Sequence, residues 1–295
     1  MARSSDAGAG ERVSDVAAHR GLAVRLAYDI TGSWADAEEI AQDAMLRVLQ
    51  ADAVRDERAL LARVTTNLAI DRVRRSRVDY VGPWLPEPIA TGPGADAAVA
   101  DAEEVELALM VALESLSPIE RAALLLHDVF DFSFDEVAEM LGRSTAAVRQ
   151  AASRARAHAQ ARRPRFAHTD ADARALVERF AAAALRGDVD GLVAMLAEDA
   201  TLVSDGGGKV SAARRPVVGA ERVARFLAGL SEQFAGRVDV VPLVLNRATA
   251  LGVLVDGELD HVHWAGIEGG RITELRIVRN PDKLAQARAA FARSA

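Results

Sequence analysis

The sequence predicts a multidomain protein with two all-α helical domains, the second carrying a helix-turn-helix, followed by an α+β cone. Three observations predict it. Apolar residues recur at helical spacing from Val13 to about Arg163, interrupted by one proline- and glycine-rich stretch. Phe134 to Arg165 reads as helix, Gly-containing tight turn, helix. Beyond Thr201, apolar runs of strand length are separated by the turn pairs Asp256-Gly257 and Gly269-Gly270. Helices followed by a curled antiparallel sheet form an α+β cone.

Composition sets the outer bounds. A chain of 295 residues can build two or three domains with cores of their own. No apolar run approaches a membrane span, and the start, Met-Ala-Arg-Ser-Ser-Asp, lacks the apolar core of a signal peptide. There is no cysteine, so disulfides, thiolate metal sites and Cys nucleophiles are excluded. A cytoplasmic protein without membrane attachment is the expectation, and no cofactor is expected. The net charge of −7 argues against indiscriminate coating of nucleic acid. That figure hides segregation: Asp96, Asp101, Glu103, Glu104 and Glu106 form an acidic block, whereas the basic residues gather in two short clusters.

In chain order, residues 1–12 read as a flexible tail and 13–78 as the first helical domain. Leu22, Leu26 and Ile30 place one stripe on a helix that Thr31-Gly32-Ser33 ends. Ser33 is placed to cap a second helix with an inner face of Ala37, Ile40, Ala41, Ala44 and Val48. Its outer face is acidic, with Asp36, Glu38, Glu39 and Asp43. A third helix from Glu57 to Arg77 turns Leu60, Leu61, Val64, Leu68 and Val73 inward. Its end carries Asn67, Asp71, Arg72, Arg74, Arg75 and Arg77. Cations at a helix C-terminus favour the macrodipole, but four arginines within six positions exceed that need and point to phosphate or base contact.

Residues 79–95 form a linker, since its prolines and glycines forbid a continuous helix. Within it, Trp84-Leu85-Pro86-Glu87-Pro88 carries an indole and a leucyl side chain that need a partner surface, so the segment is expected to dock on another domain. The second helical domain spans 96–165. Helix resumes near Asp96 and reaches Leu116. Ser117-Pro118-Ile119-Glu120 is a capping box with proline at the first helical position, and Ser133 to Glu136 repeats it. Val137 and Leu141 then share one face, Gly142 supplies a left-handed stop, and Ser144 caps the next helix.

That next helix has an inner stripe of Val148, Ala151, Ala152 and Ala155. Gln150 and Ser153 point outward, flanked by Arg149, Arg154 and Arg156. Gln can pair with adenine, and Arg with guanine or phosphate. No Asp or Glu occurs from Leu141 to Thr169, while seven arginines accumulate from Arg143 to Arg165. An unbalanced positive run suits a polyanion, although an ordinary surface hairpin with a solvated basic face would share the pattern.

Residues 170–295 change character. Leu176, Val177, Phe180 and Ala184 mark one helix. Leu192, Val193, Met195 and Leu196 mark a shorter one, and Val223 to Phe234 a third. Thr201–Ser204, Val238–Leu245, Thr249–Val255, Leu259–Ile267 and Arg271–Val278 read as strands. Asn280-Pro281-Asp282-Lys283-Leu284 leads into a terminal helix.

The two helical domains resemble an extracytoplasmic-function sigma factor. The resemblance rests on Gly32-Ser33-Trp34-Ala35-Asp36-Ala37-Glu38-Glu39-Ile40-Ala41-Gln42-Asp43, on Thr65-Thr66-Asn67-Leu68-Ala69-Ile70-Asp71-Arg72, and on the helix-turn-helix. The remainder resembles a SnoaL-like domain of the NTF2-like cone fold. Trp84 to Pro88, Asp205-Gly206-Gly207-Gly208-Lys209 and Asn280 to Leu284 match the subgroup of these sigma factors that carries such an extension. The resemblance implies core RNA polymerase and promoter DNA as partners. By match, Asp36, Glu38, Glu39 and Asp43 lie on the polymerase-facing helix. Asn67, Asp71, Arg72, Arg74, Arg75 and Arg77 lie on the minus-ten reader. Ser144, Thr145, Arg149, Gln150, Ser153, Arg154 and Arg156 belong to the minus-thirty-five reader. The extension is implied to contact the sigma domains and linker in place of a separate anti-sigma protein, with the Trp84 segment meeting the Gly-rich loop. Two departures stand out. Met45 and Val48 follow the Gln-Asp pair where a bulky aromatic is common, and Trp34 occupies a commonly aliphatic position.

A competing reading makes the cone an enzyme, since related cones isomerise or cyclise small molecules with an Asp base and an oxyanion hole. Asp199, Asp205, Asp239, His261 and His263 would be its acid–base groups. Both tyrosines, Tyr28 and Tyr80, lie outside the extension, and two His without a third ligand disfavour a metal. A further alternative is a DNA-binding protein whose cone binds or converts a small molecule.

Overall fold

A computed structural model describes residues 15–52, 54–76, 80–91, 107–162, 171–234 and 236–294. The chain divides into two compact units. The first comprises residues 1–78 and 112–162, the second residues 79–111 and 163–295. Arg77 and the acidic block from Asp96 to Glu106 lie outside the described residues.

In the first unit, helix begins at Asp15, breaks in a turn at His19 and continues as α1 (Arg20–Thr31). The expected uninterrupted helix is thus divided, and Leu22 is only half-buried. Gly32 at φ +69° ends α1 in the left-handed conformation that glycine adopts without steric cost. The Ser33 hydroxyl accepts from the Asp36 N–H and starts α2 (Trp34–Gln50), whose expected inner face is buried as read. Trp34 is buried edge-on against Tyr28, ring centroids 5.8 Å apart, so the indole at this position is a core residue.

Helix α3 (Glu57–Ser76) is rotated from its expected face. Leu61, Thr65, Thr66, Ala69, Ile70 and Val73 are buried, whereas Leu60, Val64 and Leu68 stay half-exposed. The alanines and threonines let neighbouring helices approach closely, which a purely hydrophobic count misses.

Both capping boxes form. Helix α4 (Leu107–Glu114) ends before Ser117, which opens α5 (Pro118–Asp128), and Ser133 opens α6 (Phe134–Leu141). Gly142 at φ +61° closes α6, and the Ser144 hydroxyl accepts from the Ala147 N–H at the start of α7 (Thr145–Arg162). Val137, Ala138 and Met140 form the inner face of α6, while Leu141, expected there, is half-buried.

A buried arginine joins these helices. The Arg121 guanidinium donates twice to the Leu113 carbonyl (3.1 and 2.7 Å) and once to the Ile30 carbonyl (2.6 Å). These are last-turn carbonyls of α4 and α1, which lack partners within their own helices. Asp29 is buried nearby, and desolvation pushes its carboxyl up to about 7 against the opposing charges of Arg25 and Arg121.

The second unit contains helices α8 (Ala171–Leu185), α9 (Val189–Met195) and α10 (Ala220–Gln233). Its strands, six among the described residues, are β1 (Leu196–Asp205), β2 (Val217–Val218), β3 (Val238–Leu245), β4 (Ala248–Val255), β5 (Glu258–Glu268) and β6 (Arg271–Val278). They form one sheet in the order β2-β1-β6-β5-β4-β3. The expected all-antiparallel sheet is corrected at one junction, where β1 and β6 run parallel. They lie far apart in sequence, so no hairpin dictates their direction. Strand β1 is also longer than Thr201–Ser204 and takes in Leu196, expected at the end of a helix. A 3₁₀ turn (Pro281–Lys283) and α11 (Ala285–Ser294) close the unit.

Two cores sit on the sheet. One joins α8, α9 and α10 to β1, β5 and β6 through Phe180, Leu192, Leu202, Val223, Ile272 and Leu275. The other contains Trp264, Leu245, Leu254, Leu259, Val262 and Leu284, and Leu85 of the linker is part of it.

Candidate nucleic-acid interface and linker lock

On α3, Asn67, Asp71, Arg74 and Arg75 are exposed. Arg74 lies 3.6 Å from Asp71, and Arg75 Nε donates to the Asp71 carbonyl at 3.2 Å. Arg72 differs. It is half-buried and paired with both Asp36 and Glu39 of α2, the latter at 2.9 Å. The carboxylates expected to face polymerase therefore hold one of the arginines expected to face DNA. Of the other two acids, Glu38 lies 3.7 Å from Arg20, and Asp43 takes a bidentate contact from Arg47 at 3.1 and 2.9 Å.

On α7, Gln150 and Ser153 are exposed, as the spacing requires. Arg149 is also exposed and lies 5.5 Å from the Phe134 ring centroid. Arg154 donates to Glu120 at 2.9 Å, and Arg156 makes a bidentate pair with Asp128 at 2.6 Å for each bond. The Thr145 hydroxyl donates to Asp135 at 2.7 Å, while Ser144 serves as the cap. Most of the predicted DNA-reading cations are thus partnered within the chain, by exposed or half-exposed acids whose bonds are individually weak.

The third constellation centres on Asp205, at the end of β1 and fully buried. One carboxylate oxygen accepts from the Tyr80 hydroxyl at 2.6 Å and the Gly207 N–H at 3.0 Å. The other accepts from the Leu85 N–H at 2.9 Å and from Lys283 Nζ at 2.8 Å. The Asp205 carbonyl receives the N–H groups of Arg279 and Asn280. Lys283 also donates to the Leu85 carbonyl at 2.5 Å, and its ammonium lies 3.9 Å from the Trp84 ring centroid. Asn280 donates to the Tyr80 hydroxyl at 3.0 Å, and Lys209 pairs with Asp282. Burial, together with the anion it faces, pushes the Tyr80 phenol far above its ordinary range.

The segment's own apolar groups complete the lock. Leu85, Pro86, Glu87, Pro88 and Ile89 are buried and Trp84 is half-buried. The Ile89 N–H donates to Asn246 Oδ1 at 3.1 Å, and Ala90 bridges antiparallel to Leu245 at the end of edge strand β3. Gly206 is buried, Gly207 packs on Asn280 and Gly208 approaches Val81, so the Gly-rich loop, Asn280–Leu284 and the linker meet at one place. Gly207 sits at φ +58°, and a Cβ there would overlap the Asn280 amide.

Sequence matches agree with this anatomy. Residues 16–78 match the family model "Sigma-70 region 2", and residues 106–158 match "Sigma-70, region 4". The chain is 39% identical over 289 residues to "ECF RNA polymerase sigma factor SigJ" of Mycobacterium tuberculosis, covering 92% of each. The chain belongs to the extracytoplasmic-function (ECF) sigma factors. It is also 30% identical over 291 residues to "Probable ECF RNA polymerase sigma factor SigI" of the same species, covering 92% of this chain and 94% of that protein. The crystal structure of M. tuberculosis SigJ superposes with a TM-score of 0.72 at 35% identity, over 93% of this chain and 98% of that one. This ECF chain therefore consists of helical sigma domains followed by a C-terminal α+β sheet domain.

The structure corrects the candidate enzyme groups. Asp199 and Asp239 are exposed, and neither lines the interior of the cone. Asp205 is saturated by four donors, two of them from the linker. Tyr80, discounted because it precedes the extension, belongs to the same unit and bonds Asp205. His261 and His263 do share a face, stacked with centroids 4.7 Å apart. Sequence reasoning missed Asp260 and Arg279. Asp260 Oδ2 lies 2.7 Å from His261 Nδ1 and accepts from Arg279 Nε at 2.8 Å. Asp260 is the extra residue of a bulge, since Leu254 pairs Leu259 and Val253 pairs His261. Strict alternation would have sent its side chain to the opposite face from His261.

Proposed function

We propose that this ECF sigma factor binds core RNA polymerase through the acidic face of α2 and reads promoter DNA through α3 and α7. In this reading, its own C-terminal domain regulates it by holding the linker. The observation that carries the regulatory part is the Asp205 carboxylate with its four donors, two of them from the linker.

Connectivity supplies the mechanism. Residues 79–95 join the two helical sigma segments. When residues 80–91 are fixed along the C-terminal domain, the tether left between the two DNA-reading helices is shorter, which alters how readily both engage one promoter. Opening the lock lengthens the tether. The C-terminal domain thus acts as a built-in two-state element, with no separate anti-sigma protein required and no catalytic step. The domain boundaries at 13–78, 79–95, 96–165 and 170–295 belong to the same proposal, as does action in the cytoplasm. The saturated Asp205 and the exposed Asp199 and Asp239 support a non-catalytic cone over the small-molecule-converting alternative.

Run-off transcription with core RNA polymerase tests the proposal, on the chain's own upstream region, comparing the full chain with one ending at Arg165. Activity from either form supports the initiation role, and their ratio gives the sign of regulation. Trp84→Ala should alter output far more in the full chain than in the shortened one. Equal effects in both would refute regulation through the docked linker, and absence of core binding by either form would refute the initiation role.

A further inference from the structure

The cone holds a partly open cavity of about 310 Å³. This lies at the small end of the range for small-molecule sites. Its walls are mostly apolar, with Phe180, Phe226, Leu227, Leu251, Val253 and Ile277 among them. Two imidazoles interrupt the apolar lining. His261 Nδ1 faces the Asp260 carboxylate, which His261 and Arg279 hold well below the ordinary carboxylate range. In the neutral imidazole an anion at Nδ1 selects the tautomer that donates there, with Nε2 as the acceptor. Among the described residues no protein group bonds that Nε2. His263 stacks on the ring, and burial keeps it neutral. Arg279 is the charged side chain of the lining among the described residues. Its guanidinium is already engaged by Asp260 and by the Ser211 carbonyl at 2.9 Å. An acidic guest would find no uncommitted cation.

We infer that this cavity binds a neutral, mostly apolar small molecule carrying one hydroxyl group, which donates to His261 Nε2, and that the linker senses its occupancy. The route is short. Ser204 lines the cavity and precedes Asp205, while Arg279 lines it and precedes Asn280. The backbone N–H groups of Arg279 and Asn280 both donate to the Asp205 carbonyl. A guest that moves these two strand ends moves the carboxylate that holds Leu85 and Lys283. The binding claim stands by itself, whereas the coupling rests on the regulatory reading above.

The test uses the full chain with three probes of similar shape: β-naphthol, β-methylnaphthalene and β-naphthoate. Equilibrium dialysis should show one site, with β-naphthol tighter than β-methylnaphthalene by about threefold to tenfold, the net worth of one hydrogen bond. β-Naphthoate should bind more weakly than β-naphthol. His261→Phe preserves the stack on His263 and should erase the advantage of the hydroxyl while leaving β-methylnaphthalene affinity unchanged, which also reports that the cavity is intact. Failure of all probes to bind, tightest binding by the anion, or equal loss of both neutral probes in His261→Phe overturns the inference. Saturation with β-naphthol should shift hydrogen exchange at the Leu85 amide, and unchanged exchange overturns the coupling. A chain that binds no probe, yet whose truncation changes run-off output, loses this inference and keeps the regulatory reading.

Discussion

Asp205→Asn is the sharpest perturbation of the linker lock, because it keeps the shape and removes one acceptor and the charge. The amide can be placed two ways, and neither fits. With its NH₂ at the second oxygen's position, it faces the Leu85 N–H and the Lys283 ammonium, both pure donors. With its NH₂ at the first position, the Tyr80 hydroxyl can turn and accept, but the Gly207 N–H cannot. The second arrangement costs less. It still leaves one backbone donor unsatisfied, and it replaces the anion opposite Lys283, whose side chain is only 8% exposed, with a neutral oxygen.

A lost hydrogen bond of this kind costs about 1–3 kcal/mol and a broken buried pair more, so the local opening free energy should fall by about 2–4 kcal/mol. Native-state hydrogen exchange at the Leu85 amide is the assay. That loss corresponds to an acceleration of roughly 30-fold to 1000-fold. Amides of the first unit, such as those in α5, should exchange as before. Acceleration below about threefold at Leu85 would refute the claim that Asp205 holds the linker. Equal acceleration throughout the C-terminal domain would show that the residue supports the whole fold and not the lock.

Three other outcomes are expected. Gly207→Ala forces a positive φ on a Cβ that overlaps Asn280, so it should loosen the Leu85 amide in the direction of Asp205→Asn, by about 1–3 kcal/mol; an unchanged exchange rate would count against the tight approach. Asp29 titrates in the fold at about 7 against a reference of 3.8, so the folded state binds its proton more tightly than the unfolded chain, and this group's contribution falls as pH rises from 3.8 to 7. Asp29→Asn should remove that slope, stabilising the first unit at pH 8 by up to about 4 kcal/mol and by much less at pH 5, as read from urea midpoints; a pH-independent effect would contradict it. Replacing Arg149, Gln150 and Arg154 together by Ala should abolish promoter-dependent run-off transcription and leave core-polymerase pull-down intact, whereas loss of the pull-down would mean that α7 is not the DNA-facing helix.

Local features were legible in the sequence because local chemistry decides them. Ser33, Ser117, Ser133 and Ser144 cap helices since a hydroxyl beside orphan N–H groups has few better options. Gly142, Asp256-Gly257 and Gly269-Gly270 adopt positive φ as their turns demand. Docking of the Trp84 segment was readable because apolar side chains in a proline-rich stretch lack a helix face on which to bury. What escaped depends on distance in sequence. The parallel pairing of β1 with β6 joins residues with no turn between them. Arg121 reads as a surface charge on α5 until two foreign carbonyls meet it. Asp260 joins His261 through a bulge that no periodicity announces. The rotation of α3 had the same origin, since Thr65, Thr66 and Ala69 are buried by what packs against them and not by their own hydrophobicity.

The pairing of Arg72 with Asp36 and Glu39 ties two surfaces together that the sequence presented as separate. If α2 receives polymerase and α3 receives DNA, both partners compete for one set of charges. The Glu39 contact is cheap to give up, because Glu39 is 68% exposed and such pairs contribute about 0–1 kcal/mol in water, whereas the half-buried Asp36 pair costs more to break. A basic polymerase surface that engaged Asp36 and Glu39 would supply their new counter-charge, and a phosphate would supply that of the freed Arg72. The same holds on α7, where Arg154 with Glu120 and Arg156 with Asp128 are held at the surface. The ion pairs of the isolated chain thus do not oppose DNA reading. In that arrangement Arg72, Arg154 and Arg156 would stay paired until a partner offered a better anion, on a chain whose net charge is −7. Asp205 follows the opposite logic. Its charge is buried, four donors converge on it, and no external anion or cation can be exchanged there without first opening the linker. The weak pairs suit readout and the strong one suits control, a division set by solvent exposure and not by residue type.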